Sequence, residues 1–329
     1  MASRKRPGRS RPTIEDVAAR AGVSTAAVSF AVNGRPGVAE ATRRRILDAA
    51  EELGWRPSAS ARALTEARAR AVGLLLSRSV DQLEIDPFFV RFLAGVERTL
   101  SRSDHDLVLR VAEHVDLAAY ERLAGSGRVD GFLLCDVEVD DPRFALLAES
   151  GLPAVVAGHP VSPCPFPWIE TEHAAGIRLV TEHLLALGHR RIAFAGGPAH
   201  LEHVQARLAA WRATLADAGV QPGPVAHADH AGLLGAGVTA IVHTSDGLAA
   251  ATLAAARERG LSVPGDVAIT GFDDSPLAAL GSPPLTSVRV DYAGFGAGAA
   301  AALLAALAGE PVPAYRPAPP ELVVRASTA

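Results

Sequence analysis

Between residues 71 and 272 the chain repeats one pattern, a short continuous apolar run followed by a longer amphipathic stretch. The runs are AVGLLL (71–76), DLVLRV (106–111), DGFLLC (130–135), PAVVAG (153–158), RIAFAGG (191–197), TAIVHT (239–244) and VAITGF (267–272). The stretches with helical periodicity include Val90–Ser101, Ala174–Gly188, Gln205–Ala218, Gly247–Gly260 and, further on, Gly294–Gly309. A strand that is apolar on both sides must be covered on both faces, and helices placed between such strands do the covering. The pattern therefore predicts doubly wound parallel α/β sheets. Residues 71–329 are enough for two such lobes, and a ligand cleft in this arrangement lies at the carboxyl ends of the strands.

Nothing before residue 70 fits that pattern. DVAARAGVSTAAVSFAVN (16–33) is two short Ala-rich segments split by Gly22-Val23-Ser24. Each is too short to be a stable helix alone, so the pair must dock on something. Thr13 can cap a helix to about Ala21, with Ile14, Val17, Ala18 and Ala21 on one face. Gly22 ends it, and Ser24 caps a second helix to about Val32 that buries Val28 and Val32. A third helix, about Ala39 to Leu53, buries Ile46, Leu47, Ala50 and Leu53. The polar side of the second helix shows Thr25, Ser29 and Asn33. Two helices around a tight Gly turn match the helix-turn-helix, whose second helix enters the DNA major groove, although an ordinary helical hairpin gives the same pattern. Charge favours DNA. Residues 1–70 hold fourteen Lys and Arg against seven Asp and Glu, while the whole chain has a net charge of −4. A basic head on an acidic body is what a nucleic-acid partner at one end produces. The small all-α head joins the α/β body through a basic segment, Ser58–Arg70.

The segments TIEDVAARAGVSTAAVSFAVNG (13–34) and VAEATRRRILDAAEELGWRPSASARAL (38–64) resemble the head of lactose/galactose-repressor (LacI/GalR-type) transcriptional regulators. DPFF (86–89), EHLLALGHRRIAFAGGP (182–198), VPGDVAITGFDDSPLA (263–278), PPLTSVRVD (283–291) and LVVRAST (322–328) follow in the family's order. The resemblance implies a repressor that binds operator DNA as a homodimer and answers to a small effector, a sugar or related metabolite, held between two lobes of periplasmic-binding-protein type. It implies a DNA-binding domain over 1–57, a hinge over 58–70 and an effector and dimerisation core over 71–329. Within the core, lobe one takes about 71–160 plus 292–316, and lobe two about 161–291 plus 317–329. Thr25, Ala26 and Phe30 fall at base-reading positions. Thr25 can hydrogen-bond a base edge or phosphate; Ala26 and Phe30 can only touch apolar groups such as a thymine methyl. Phe30 has another place open to it, against the third helix. Thr13, Ser24, Ser29, Asn33 and Arg62 belong with phosphates and caps, which position rather than specify. Leu64 matches a leucine that the family wedges into the minor groove.

In the body the resemblance assigns Arg207 to ligand hydroxyls or a carboxylate, Asp273 and Ser245-Asp246 to the cleft, and Phe88 to an aromatic wall. Such a set suits a polyol: Arg offers a fork of donors, Asp an acceptor, and the ring covers sugar CH groups. Asp273 and Asp246 could instead cap the elements that follow them. Two departures bear on the effector. Residues 219–240 are too short for the usual strand and helix, and Glu172-His173 replaces the usual Asp-Asn.

Other chemistry finds no foothold. There is no P-loop, GxSxG elbow or HExxH, so neither an enzyme nor a cofactor is expected. GFGAG (294–298) reads as close helix packing. His227, His230 and His243 read as exposed loop histidines rather than a metal site, and Cys135 and Cys164 as buried small apolar residues. Two cysteines, no apolar signal and no membrane-length run point to the cytoplasm. The absence of a closing leucine heptad points to a dimer rather than a tetramer. A solute-binding protein or an enzyme could share the α/β body; neither needs the basic head.

Overall fold

The computed structural model describes residues 12–32, 34–55, 68–79, 83 and 86–329. Asn33, Arg62 and Leu64 lie outside the described residues, as does most of the expected hinge. The chain divides into two compact units, Met1–Ala69 and Arg70–Ala329.

The first unit is built on α1 (Ile14–Ala21), α2 (Thr25–Val32) and α3 (Glu40–Leu53). Thr13 caps α1 in a reciprocal box, its hydroxyl accepting from the Asp16 N–H while the Asp16 carboxylate accepts from the Thr13 N–H. Gly22 ends the helix at φ 65°, a conformation open to glycine at little cost. The Ser24 hydroxyl then accepts from the Ala27 N–H at 3.2 Å, starting α2. Val17, Ala18, Ala21, Val28, Ala31, Ile46, Ala49 and Ala50 form the buried core. Arg43 of α3 donates to the carbonyls of Ala31 (2.6 Å) and Arg35 (2.8 Å), which fixes the end of α2 and the loop beyond it. Leu47 departs from expectation: it is 47% exposed. The 3.6-residue period aims Ile46, Ala49, Ala50 and Leu53 inward and leaves Leu47 on the flank. Val32 is only half buried, and Ala31 takes the inner position.

The second unit carries two parallel sheets. The first has the order β2-β1-β3-β4-β5, from β1 (Ala71–Ser77), β2 (Asp106–Ala112), β3 (Gly131–Leu134), β4 (Ala154–Ala157) and β5 (Trp168–Ile169). The second has the order β7-β6-β8-β9, from β6 (Ile192–Ala195), β7 (Val225–Ala226), β8 (Ala240–His243) and β9 (Ala268–Thr270). Both orders reverse direction once, between β1 and β3 and between β6 and β8. Those reversals are the switch points at which open α/β sheets leave a crevice. The layers are completed by α4 (Pro87–Arg102), α5 (Leu117–Gly125), α6 (Pro142–Ser150), α7 (His173–Ala186), α8 (Glu202–Asp217), α9 (Asp246–Glu258), α10 (Pro276–Leu280) and α11 (Tyr292–Ala308). An antiparallel pair, β10 (Ser287–Arg289) with β11 (Glu321–Val323), closes the second lobe.

Helix α11 returns to the first lobe, where Phe295, Ala299, Ala300, Ala302 and Leu303 join its core. GFGAG explains the fit: a Cβ on Gly296 would collide with the Phe92 carbonyl of α4, and one on Gly95 with the Ala293 carbonyl. Strand β5 extends the first lobe to Ile169, beyond the expected 160. Two residues behind Pro167 are too few to show as an apolar run. The trimmed stretch after Gly219 holds the two-residue β7 and one 3₁₀ turn, Ala231–Gly235. His243 is a buried strand residue rather than an exposed loop one, and Cys164, unlike Cys135, is only half buried. Among the described residues no helix is long and apolar enough to cross a membrane.

Candidate functional site

A cavity of about 650 Å³ opens in the second unit. Its walls include the residues just beyond the carboxyl ends of the switch-point strands: Arg78 after β1, Cys135 and Asp136 after β3, Gly197 after β6, and Thr244 and Ser245 after β8. The volume falls within the range of small-molecule sites, roughly 300–1,000 Å³.

Arg207, Asp273, Phe88 and Ser245 all line it. Arg207 is almost wholly buried on α8. Its guanidinium lies over the Phe272 ring, 4.0 Å from the centroid, and donates to the Thr244 carbonyl and to His173 Nδ1. An arginine can only donate, so His173 Nδ1 accepts and its Nε2–H donates to the Thr171 hydroxyl at 3.0 Å. Burial, reinforced by Arg207, holds His173 well below the usual histidine range, so the ring is neutral. Arg207 Nε has no protein partner.

Asp273 sits at φ 105°, a backbone conformation rare for a residue with a Cβ. Its N–H donates to the Val288 carbonyl at 2.7 Å, and the Tyr292 hydroxyl donates to its Oδ1 at 2.7 Å. Burial raises its carboxyl well above the ordinary range, although Arg207 pulls the other way. Phe88 packs edge-on against Tyr292, with centroids 4.8 Å apart, and forms the apolar wall.

Asp246 is placed elsewhere. It is fully buried and accepts from the Ser275 N–H (2.6 Å) and the Ser287 hydroxyl (2.6 Å), so both oxygens tie the loop after β9 to β10 rather than facing the cavity. Ser245 Oγ accepts from the Leu248 N–H and caps α9 while lining the cavity. Asp274 is likewise structural, held by Arg289 and Arg325.

Several wall residues were not singled out from the sequence. Arg78 makes a bidentate pair with Asp136 (2.6 and 2.8 Å) and bonds Asp86 at 2.9 Å. Burial works against the Asp136 carboxylate, yet Arg78 holds it below the ordinary range. Their signal was present, since both follow apolar runs where strand ends deliver side chains to a cleft. His203 precedes Arg207 by four residues and shares its helix face. Burial, then Arg207, holds it down to about 3. Tyr292 opens the helix after VRVD, and no spacing in the sequence points to its role.

In the first unit, Ser24, Thr25, Ala26 and Phe30 are exposed on α2 or its cap, and Ser29 is half buried. Phe30 is 39% exposed, and its ring lies beside Gly37. Thr13 is engaged as a cap.

Three matches cover the chain in order. Residues 13–58 match the model described as "Bacterial regulatory proteins, lacI family". Residues 69–232 match "Periplasmic binding proteins and sugar binding domain of LacI family", and residues 181–328 match "Periplasmic binding protein-like domain". The HTH-type transcriptional regulator CelR of Thermobifida fusca is 36% identical over 300 residues, 85% of this chain and 87% of CelR. A solved transcriptional regulator CelR–cellobiose complex is 32% identical, covering 96% of this chain and 100% of that one, with a TM-score of 0.69. The lac repressor dimer bound to operator and the anti-inducer ONPF is 26% identical, covering 97% and 99%, with a TM-score of 0.82.

Proposed function

The chain belongs to the LacI family of bacterial regulatory proteins, and from that premise we propose that it is a cytoplasmic, non-enzymatic repressor that binds operator DNA as a homodimer and is switched by a sugar or related metabolite. The observation that carries the effector half is the cavity, where a buried arginine, a buried carboxyl and an aromatic wall converge at two switch points. Arg207 supplies donors and Asp273, fixed by Tyr292, meets a hydroxyl. Phe88 covers the apolar face of a ring. A donor, an acceptor and an apolar wall together suit reversible recognition of a polyol.

The DNA half rests on α2. Its exposed Thr25, Ala26 and Phe30 share a side, and Ser24 and Ser29 stand beside them for phosphates. Residues 1–57 act as the reading head, 58–70 as the hinge with Leu64 as its wedge, and 71–329 as the effector core. An effector that binds one arrangement of the lobes better than another shifts the population toward it, and the hinge passes that preference to the paired heads.

The test is selection of bound sites from a randomised duplex library with the full chain, then titration of the selected duplex at two salt concentrations, with and without a sugar panel. The expected result is a site of two related half-sites, salt-sensitive affinity, and release or tightening by at least one sugar. Absence of salt-sensitive DNA binding overturns the repressor reading; DNA binding indifferent to every sugar overturns the sugar reading.

A further inference from the structure

Building on the effector reading of the cleft, we propose that Arg91 is a positioning residue that joins the state of Asp273 to the arrangement of the lobes. The two ends of Asp273 face different bodies. Its carboxyl lines the cavity, while its carbonyl accepts from Arg91 Nη1 at 2.9 Å. Arg91 Nη2 donates to the next carbonyl, that of Asp274, at 3.0 Å. Arg91 stands on α4, whose Phe89, Phe92 and Val96 are buried in the core of lobe one. The turn it grips follows β9 of lobe two.

The grip depends on an uncommon turn. In an extended strand successive peptide groups face opposite ways, so one guanidinium cannot reach two neighbouring carbonyls. Asp273 and Asp274 have φ of 105° and 46°, and among the described residues they are the one pair of non-glycine neighbours that both have positive φ. This backbone turns both carbonyls to one side, and the planar fork of an arginine spans them. Lobe two holds the turn at its other groups. The Asp273 N–H donates to the Val288 carbonyl at 2.7 Å and the Asp274 N–H to the Ser287 hydroxyl at 3.1 Å, while the Asp274 carboxylate is paired with Arg289 and Arg325.

A second observation joins the same helix to the same aspartate. Phe88 lies three residues before Arg91, on the same side of α4. Its ring packs edge-on against Tyr292, whose hydroxyl donates to the Asp273 carboxyl. The first turns of α4 thus meet Asp273 twice, through Tyr292 at the carboxyl and through Arg91 at the carbonyl. The contact of Glu202 with Val137 and Val161 also ties the lobes, but it involves no atom of Asp273. An effector hydroxyl that draws on the Asp273 carboxyl therefore acts on a residue whose peptide is clamped from lobe one. Rotation of that peptide parts the two carbonyls and releases half of the fork. A contact that differs between two lobe arrangements is what lets a ligand shift the population between them. Without Arg91 the effector still meets Asp273 and Arg207, but lobe one no longer registers the change.

The experiment compares wild type, Arg91→Met and Arg91→Lys as full chains. Lysine keeps the charge but lacks the planar fork. Calorimetry measures affinity for cellobiose, maltose, trehalose and glucose without DNA, and anisotropy measures affinity for the selected duplex with and without each sugar. In wild type at least one sugar is expected to change duplex affinity by a factor in the ordinary allosteric range, about 5–150-fold. Arg91→Met is expected to reduce that factor to about twofold or less while sugar affinity without DNA stays within about threefold of wild type, and Arg91→Lys is expected to lose most of the factor as well. A residue that merely supports the fold would lower the unfolding temperature and leave the factor alone. A wild-type factor in either variant overturns the proposal and leaves the effector reading standing. Loss of sugar binding itself in Arg91→Met does the same, because it would place Arg91 among the ligand contacts. A wild-type chain whose duplex affinity answers to none of the four sugars overturns both.

Discussion

His243 is fully buried in β8 with a partner at each ring nitrogen. The Thr270 carbonyl can only accept, so Nδ1 carries the proton, and Nε2 faces the Thr252 hydroxyl at 2.9 Å. Burial, with His230 nearby, holds this ring down to about 3. In the unfolded chain a histidine titrates near 6.5. The folded-state value is depressed, so the stability this group contributes is fully present above about pH 6.5 and is lost as pH falls toward 3. His243→Gln should therefore flatten the pH dependence of stability between pH 6 and pH 4 by about one proton, roughly 1.4 kcal/mol per pH unit. Urea unfolding at pH 6, 5 and 4 checks it, and equal slopes in variant and wild type would count against it. At the same scale, Arg207→Ala and Asp273→Ala should leave DNA affinity nearly intact and remove the effector response. Such coupling is worth about 1–3 kcal/mol. Anisotropy titration of the selected duplex with and without effector measures it, and a wild-type response in either variant refutes those roles.

Elements succeed here where backbones come close. Helices α4 and α11 meet through Gly95 and Gly296, each pressed against a carbonyl of the other helix. Gly296→Ala must push the helices apart and should cost about 1–3 kcal/mol, or somewhat more because the obstacle is backbone. Gly125, at the end of α5, has nothing within 4 Å of where a Cβ would stand and no positive φ. Gly125→Ala should be neutral or stabilise by about 0.4–1 kcal/mol. Denaturant midpoints of the two variants should move in opposite directions, or only the Gly296 variant should move. The same contrast shows how sequence and elements relate. GFGAG announced close packing but not the partner. The apolar runs marked the long strands, while β5 and β7, two residues each, and the antiparallel β10 and β11 carried too little pattern to be seen.

At the scale of the whole molecule, regulation needs the effector unit and the DNA-reading unit to share one equilibrium. Within the effector unit the lobes already touch across the cleft: Arg91 of α4 donates to the carbonyls of Asp273 (2.9 Å) and Asp274 (3.0 Å), and the Glu202 N–H donates to the Val137 carbonyl at 3.0 Å. The covalent path to the head runs through the segment containing Leu64. On the proposed role of Leu64 as a minor-groove wedge, Leu64→Ala should lower affinity for the selected site by more than loss of one phosphate contact does. Non-specific binding, which rests on basic side chains, should barely change. Binding to selected and scrambled duplexes at two salt concentrations reads the difference. Undiminished discrimination by Leu64→Ala would remove Leu64 from the switch.

The sequence by itself determined the two architectures and their order. Periodicity, caps and breakers are local: Thr13, Gly22 and Ser24 fix α1 and α2, and most apolar runs need only their own residues to demand burial on both faces, whereas DLVLRV forms the edge strand β2 and leaves Leu109 and Val111 exposed. The resemblance of the sequence to the LacI family, rather than any local pattern, named Arg207, Asp273 and Phe88, which the fold gathers around one cavity. Only the tertiary structure decided which neighbours each group meets. Asp246 and Ser245 are adjacent in sequence, yet one is spent on Ser275 and Ser287 while the other lines the cleft. The Asp273 backbone is held by the Val288 carbonyl and by Arg91, its carboxyl is raised by burial, and Tyr292, nineteen residues on, donates to it from a helix. Exposure, hydrogen-bond partners and charge are set by groups distant along the chain, so no window of sequence contains them.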